Sequence, residues 1–152
     1  MFEDDADADV LGLARAAQSV LARTRALDPA RRIQALDALQ QMVAAERLAA
    51  TAEARRTEAF AETHQSLKTW IADLTHTDAS VAKTWTALAG FEARLPGLAS
   101  ALASGAASLE HVRVAVRALR RVEDDDARAV DPVITEAAET CTPSELAQLL
   151  AH

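Results

Sequence analysis

Between Pro29 and Gly90 the chain contains neither glycine nor proline. These are the residues that most often interrupt regular structure. So long a stretch without them, filled by alanine, leucine and long polar side chains, commits the chain to helices. No window alternates apolar and polar residues for long enough to describe a strand. With 152 residues, half of them apolar, and only 4 Gly and 4 Pro in all, the chain is expected to be all-α, a multi-helix bundle with one long helix. Residues 1–8, acidic and poor in apolar groups, are expected to be a disordered N-terminus, and 9–152 a single helical domain.

Local punctuation places the helices. Val10, Leu13, Ala17, Val20 and Leu27 recur at three- and four-residue intervals and predict a first amphipathic helix that stops near Leu27. Asp28-Pro29 restarts the chain as a long helix reaching Glu62, apolar along Ile33, Leu36, Leu39, Met42 and Val43 and then alanine-rich. Two arrangements would cover these stripes: antiparallel pairing of the two helices within one chain, or a homodimer seam through the long helix. Ser66 caps a short helix carrying Leu67, Trp70, Ile71 and Leu74. Thr75-His76-Thr77 then turns the chain, and Asp78 caps a helix whose packed side reads Val81, Trp85, Leu88 and Phe91. Together these make a helix-turn-helix-like unit. Leu95-Pro96 opens a further helix that Gly105 ends. Ser108 caps another, packed through Leu109, Val112, Val116 and Leu119. Asp131-Pro132 and Thr142-Pro143 with Glu145 read as two more helix starts. Leu146, Leu149 and Leu150 form an apolar edge at the end of the sequence, which is read as a domain that continues beyond it.

A formal charge of −7 opposes a nucleic-acid partner, but much of it is concentrated in two places. Glu3, Asp4, Asp5, Asp7 and Asp9 crowd the start, and Glu123 to Asp126 follow one another. Without these nine, the other 14 acids face 16 basic residues, about +2. Arg113, Arg117, Arg120 and Arg121 recur at helical spacing opposite the packed side of their helix. Such a stripe either contacts phosphates or is a solvated face neutralised by Glu123 to Asp126. Lys83 and Thr84 stand where a recognition helix presents its early residues to a major groove. These six are the candidate DNA-binding residues. Trp70 and Trp85 share helical faces with aliphatic residues, which points to core packing rather than base stacking.

No residue set for catalysis is legible. The four histidines, His64, His76, His111 and His152, are spread singly, and there is no His-x-x-x-His, Cys-x-x-Cys, Gly-x-Ser-x-Gly or phosphate-cradling glycine loop. The single Cys141 has no disulfide partner in the chain and reads as a small filler at a helix boundary. No cofactor, metal or small-molecule substrate is therefore expected. The acidic start is unlike a secretory leader, and no apolar run approaches the roughly 20 residues that cross a bilayer. A cytoplasmic protein without a membrane partner is expected.

The order His64-Gln65-Ser66-Leu67, Trp70-Ile71, Asp78, Leu95-Pro96, Gly105, Ser108 and His111 resembles the actinobacterial domain of unknown function 222, which usually precedes an HNH endonuclease domain. The resemblance is densest from His64 to Leu119. Thr63 and His76 stand where that family usually has glycine, a departure confined to loops. An HNH centre needs a histidine base and further His, Asp or Asn metal ligands, and this chain has no asparagine at all. The resemblance thus implies a noncatalytic, helical DNA-binding or targeting module acting on double-stranded DNA ahead of a nuclease domain. A helical protein-interaction or homodimerisation module is the competing expectation.

Overall fold

A computed structural model of the chain describes residues 2–152, with side chains from Asp7 onward. Among the described residues the chain is all-α, with eight α-helices and no strand: α1 (Phe2–Arg23), α2 (Pro29–Arg56), α3 (Leu67–Thr75), α4 (Ala79–Leu88), α5 (Pro96–Ser104), α6 (Leu109–Ala118), α7 (Asp124–Thr140) and α8 (Pro143–Leu150). Short 3-10 turns follow α1 and α4. No helix is long and apolar enough to cross a membrane. Contacts divide the chain into two compact units, residues 1–39 and 40–152, where the sequence reading expected one domain from residue 9.

The first unit holds α1 and the start of α2. Asp28 caps α2 as expected: its carboxylate accepts from the Arg31 N–H at 3.1 Å and its carbonyl from the Arg32 N–H at 2.8 Å. Helical backbone already begins at Phe2, so residues 2–8 join α1, while Met1 lies outside the described residues. Antiparallel pairing within the chain does not cover the α1 stripe: Val10, Leu13, Ala17, Val20 and Leu27 are all exposed. Thr24 is the one buried residue described in this unit, its hydroxyl donating to the Leu21 carbonyl at 2.6 Å.

The second unit contains the core. Leu48 from α2, Leu88, Leu95, Leu98 and Leu102, Val112 and Ala115 of α6, Ile134 of α7 and Leu146 of α8 form one buried cluster. A smaller cluster joins Leu67 and Ile71 of α3 to Ala82 of α4, with Ala54, Phe60 and Trp70 partly buried around it. In α4 it is Ala82, fully buried, and not Val81 that meets α3. A methyl group permits close helix approach where a branched side chain would hold the pair apart. Leu74, expected on the packed side of α3, is exposed. Both tryptophans are half-buried against these clusters rather than enclosed.

Many of the short helices end on polar contacts from elsewhere in the chain. Asp131 shows this most clearly. The sequence reading made Asp131-Pro132 a helix start, but α7 begins at Asp124 and carries Pro132 in its interior. Three acids in its first turn suit the positive end of the helix dipole, while Pro132 forgoes one hydrogen bond inside the helix. Asp131 is 4% exposed and caps a different helix. Its carboxylate accepts from the Gly97 N–H at 2.7 Å and the Leu98 N–H at 3.1 Å, at the start of α5, whose own N-cap Leu95 offers no side-chain acceptor. The Thr135 hydroxyl donates to the same carboxylate at 3.2 Å. Gly97 is required by this contact, since a Cβ there would lie 2.7 Å from Asp131 Oδ2 and 2.9 Å from Thr135 Oγ1.

Three helices close with a left-handed residue whose neighbours satisfy the final carbonyls. Gly105 (φ 81°) does so for α5, through the Ala106 N–H to the Ala101 carbonyl at 2.8 Å. The other two positions are not glycine. Glu58 (φ 52°) ends α2 well short of Glu62, with the Ala59 N–H donating to the Ala54 carbonyl, and His76 (φ 52°) ends α3, with the Thr77 N–H donating to the Ala72 carbonyl. Asp78 does not cap α4 through its side chain, whereas Ser66 accepts from the Thr69 N–H at 3.2 Å and Thr142 and Glu145 form the expected capping box.

These helix ends generate three predictions. Asp131→Ala should lower unfolding free energy by about 3 kcal/mol, because two buried N–H groups lose a charged acceptor; Gly97→Ala should cost about 2 kcal/mol through the overlap just described. Denaturant titration measures both. His76→Gly should raise stability by about 0.5 kcal/mol, as removal of left-handed strain exceeds the added freedom of the unfolded chain; thermal unfolding with a lower midpoint would contradict it.

Candidate nucleic-acid interface

α4 and α6 line a shared groove of about 560 Å³ in the second unit. Leu88, Val114 and Val116, buried or half-buried, give it apolar walls, while Lys83, Arg113, Arg117 and Arg120 are exposed around it. Five of the six candidates therefore converge, with Thr84 the fifth. Its hydroxyl donates to the Ser80 carbonyl one turn back, at 3.4 Å. Arg121, also exposed, is not among the groove residues, because its position in the turn beyond α6 is rotated by about 100° from Arg120. Ser80, Ala87 and Glu110 were missed as lining residues; Ser80 lies one turn before Lys83 and Thr84, the spacing by which it could have been found.

Glu110 is the only acid lining the groove, and its carboxylate pairs with Arg113 at 3.0 Å. Four cations against one carboxylate leave a net +3. Among the described residues the acidic run forms no ion pair with the stripe. Asp124 pairs with Arg94 at 2.8 Å and Asp125 with Arg128 at 2.7 Å, and among the described residues no carboxylate is paired with Lys83, Arg117, Arg120 or Arg121. Arg113, Arg117, Arg120 and Arg121 are all exposed, as both the phosphate-contact and the solvated-face readings require. Asp124, Asp125 and Asp126 occupy the first turn of α7, where Arg94 and Arg128 hold two of them. Neither arginine was singled out from sequence, since Arg94 meets Asp124 across thirty positions of chain.

The helix that presents the arginines is held at both ends. At its start the Leu109 N–H donates to Gln41 Oε1 of α2 at 2.8 Å, and Ser108 and His111 form a reciprocal box. His111 is buried. Its Nδ1 accepts from the Ser108 N–H at 3.1 Å and its Nε2–H donates to the Cys141 carbonyl at the end of α7, at 2.7 Å. A carbonyl can only accept, so Nε2 carries a proton, and Nδ1 is shared between the Ser108 N–H and hydroxyl. At the other end Arg94 donates to the Leu119 carbonyl at 3.0 Å and to that of Val122. The C-terminal end of α4 is held similarly by Arg55 of α2, which donates to the Ala89 carbonyl at 3.1 Å and to that of Thr86. The groove walls are thereby fixed before any ligand arrives.

The other singled-out residues have structural partners. The Arg47 guanidinium lies 4.1 Å from the centroid of Trp85, covering a face that a stacking base would need. His64 joins Asp73 at 2.6 Å and Thr63 at 2.8 Å, closing the loop before α3. Cys141 is a half-buried free thiol. Among the described residues no three His, Cys, Asp or Glu side chains converge as metal ligands. Arg94→Met should cost about 2 kcal/mol in denaturant unfolding, since it strands two carbonyl acceptors and the Asp124 carboxylate; an unchanged midpoint would show that Arg94 does not anchor α6. No family model matches the chain, and no curated protein or solved structure matches it either.

Proposed function

We propose that this chain is a noncatalytic DNA-binding module that grips the phosphate backbone of a duplex with the α4–α6 groove. The observation that carries the reading is the convergence of Lys83, Arg113, Arg117 and Arg120 on one groove with a single opposing carboxylate. Arg113 and Arg117 lie on α6 and Arg120 in the turn just beyond it, together extending over roughly 10 Å, the axial length over which one DNA strand carries about three phosphates. Lys83 and Thr84 on α4 supply the opposite side of the contact. In this reading the chain places a nuclease domain on DNA, the role implied by its resemblance to domain of unknown function 222 in HNH endonuclease-like proteins. Arg121, outside the groove, contributes only to the surrounding field.

A second reading, self-association through the long helix, rests on Ile33 and Val43, apolar residues left exposed along α2. The groove has no need of it.

Fluorescence anisotropy with a short labelled duplex tests the first reading. Four phosphate contacts give a slope of about −3.6 in log K against log salt, or roughly a 100-fold loss between about 50 and about 200 mM. Arg117→Ala with Arg120→Ala should reduce that slope by about 2, while Arg121→Ala should leave it nearly unchanged. Absence of binding at low salt, or a slope indifferent to the double substitution, rejects the groove as the contact.

A further inference from the structure

In the first unit α1 carries a heptad seam that is left exposed among the described residues. Val10, Leu13, Ala17 and Val20 alternate at three and four residues, as the a and d positions of a coiled coil do. Val10 is 66% exposed, Leu13 71% and Val20 46%. Leu27 and Ile33 of the same unit are exposed as well and enlarge the apolar surface.

Charge identifies what covers it. The N-terminal end of the helix is acidic, through Glu3, Asp4, Asp5, Asp7 and Asp9, and the basic residues Arg15, Arg23 and Arg25 follow toward its other end. Among the described residues none of Asp7, Asp9, Arg15, Arg23 or Arg25 is paired, and all are exposed. Side-by-side copies in parallel would set acid against acid and base against base. An antiparallel pair sets each acidic end against a basic one. The heptad register agrees, because placing Val10 of one copy opposite Val20 of the other also places Leu13 opposite Ala17. The same register brings Asp9 beside Arg23, both at the seam-flanking g position, twice by the two-fold symmetry. A membrane surface fits poorly, since an amphipathic helix that lies on anionic lipid carries Lys and Arg along its polar face rather than an acidic end.

We infer that α1 is the seam of an antiparallel homodimer in which Val10, Leu13, Ala17 and Val20 interlock and Asp9 pairs with Arg23 of the second copy. This inference is independent of the DNA reading, because it uses only residues of the first unit.

Sedimentation velocity on the full chain, from low to high micromolar concentration, should show a monomer–dimer equilibrium. Leu13→Glu, on an exposed position, should abolish the dimer while leaving the helical circular-dichroism signal of a dilute sample unchanged. Asp9→Arg alone should weaken association by about tenfold in Kd, and adding Arg23→Asp should restore it. Orientation is read by thiol crosslinking in a Cys141→Ser background. A mixture of Val10→Cys and Val20→Cys chains should form the mixed disulfide, whereas Val10→Cys alone should not crosslink. A monomer at every concentration, a dimer indifferent to Leu13→Glu, or Val10→Cys chains crosslinking to each other would each overturn the inference.

Discussion

Asp131 holds the start of α5 from inside the second unit, and much of the packing depends on that contact. α5 is only nine residues long and opens with Leu95-Pro96-Gly97, a sequence that offers no local acceptor for its first N–H groups. Short helices gain little from their own hydrogen bonds because nucleation is costly. They persist when tertiary contacts satisfy their ends and bury one face. Here a carboxylate from α7 does the first, and Leu98, Ala101 and Leu102 do the second. A buried carboxylate would be costly if unpaired, but two N–H groups, a hydroxyl and the positive end of a helix receive it. The contact also sets how closely α5 and α7 approach, since a Cβ at position 97 would displace the Asp131 carboxylate and the Thr135 hydroxyl.

The same device recurs around the groove and separates two populations of charge. Arg55, Arg94 and Arg128 each donate to backbone carbonyls elsewhere in the chain, and the last two also hold Asp124 and Asp125. These arginines are bound up in the fold. Lys83, Arg117 and Arg120 are left facing solvent around the open groove without a paired carboxylate among the described residues. Of the acidic run that follows the basic stripe, Asp124, Asp125 and Asp126 suit the α7 dipole, and the first two pair with Arg94 and Arg128. Net charge does not show where the carboxylates are engaged; the pairs of Asp124 with Arg94 and Asp125 with Arg128 do so for two of the four.

Particular residues show what the sequence could and could not convey. The Asp28-Pro29 start, the Ser66 cap, the Gly105 stop and the Thr142–Glu145 box were legible because all their partners lie within four residues. The arginine row was legible for the same reason, being a helical period. Asp131 was misread because its partners lie more than thirty positions away, and an Asp-Pro pair otherwise has every local mark of a helix start. Val81 and Ala82 exchanged places because periodicity ranks side chains by hydrophobicity, while close helix contact selects the smaller one. Glu58 carries left-handed backbone without being glycine, so nothing in its chemistry marked the end of α2, whereas the turn at Thr75-His76-Thr77 was legible from the caps on either side of it. That α4 and α6 would share one groove depended on Gln41, His111 and Arg94, contacts of long sequence separation that no spacing rule describes.

The two units also differ in what stabilises them. Residues 40–152 contain a continuous buried cluster, so their helices are held by burial and by caps. Residues 1–39 bury only Thr24 among the described side chains, yet they include the 22-residue helix α1. In water an isolated helix of that length is only modestly stable unless its sequence is very favourable. α1 is rich in alanine and leucine but carries Gly12 at its middle, which costs about 1 kcal/mol relative to alanine. Propensity alone therefore leaves little margin. Full burial of a Val or Leu side chain contributes about 1.5–3 kcal/mol, so covering Val10, Leu13 and Val20 would outweigh the glycine penalty. Helix formation and coverage of the seam are then one coupled event, with the acidic first turns stabilised by the helix dipole whether or not a partner is present.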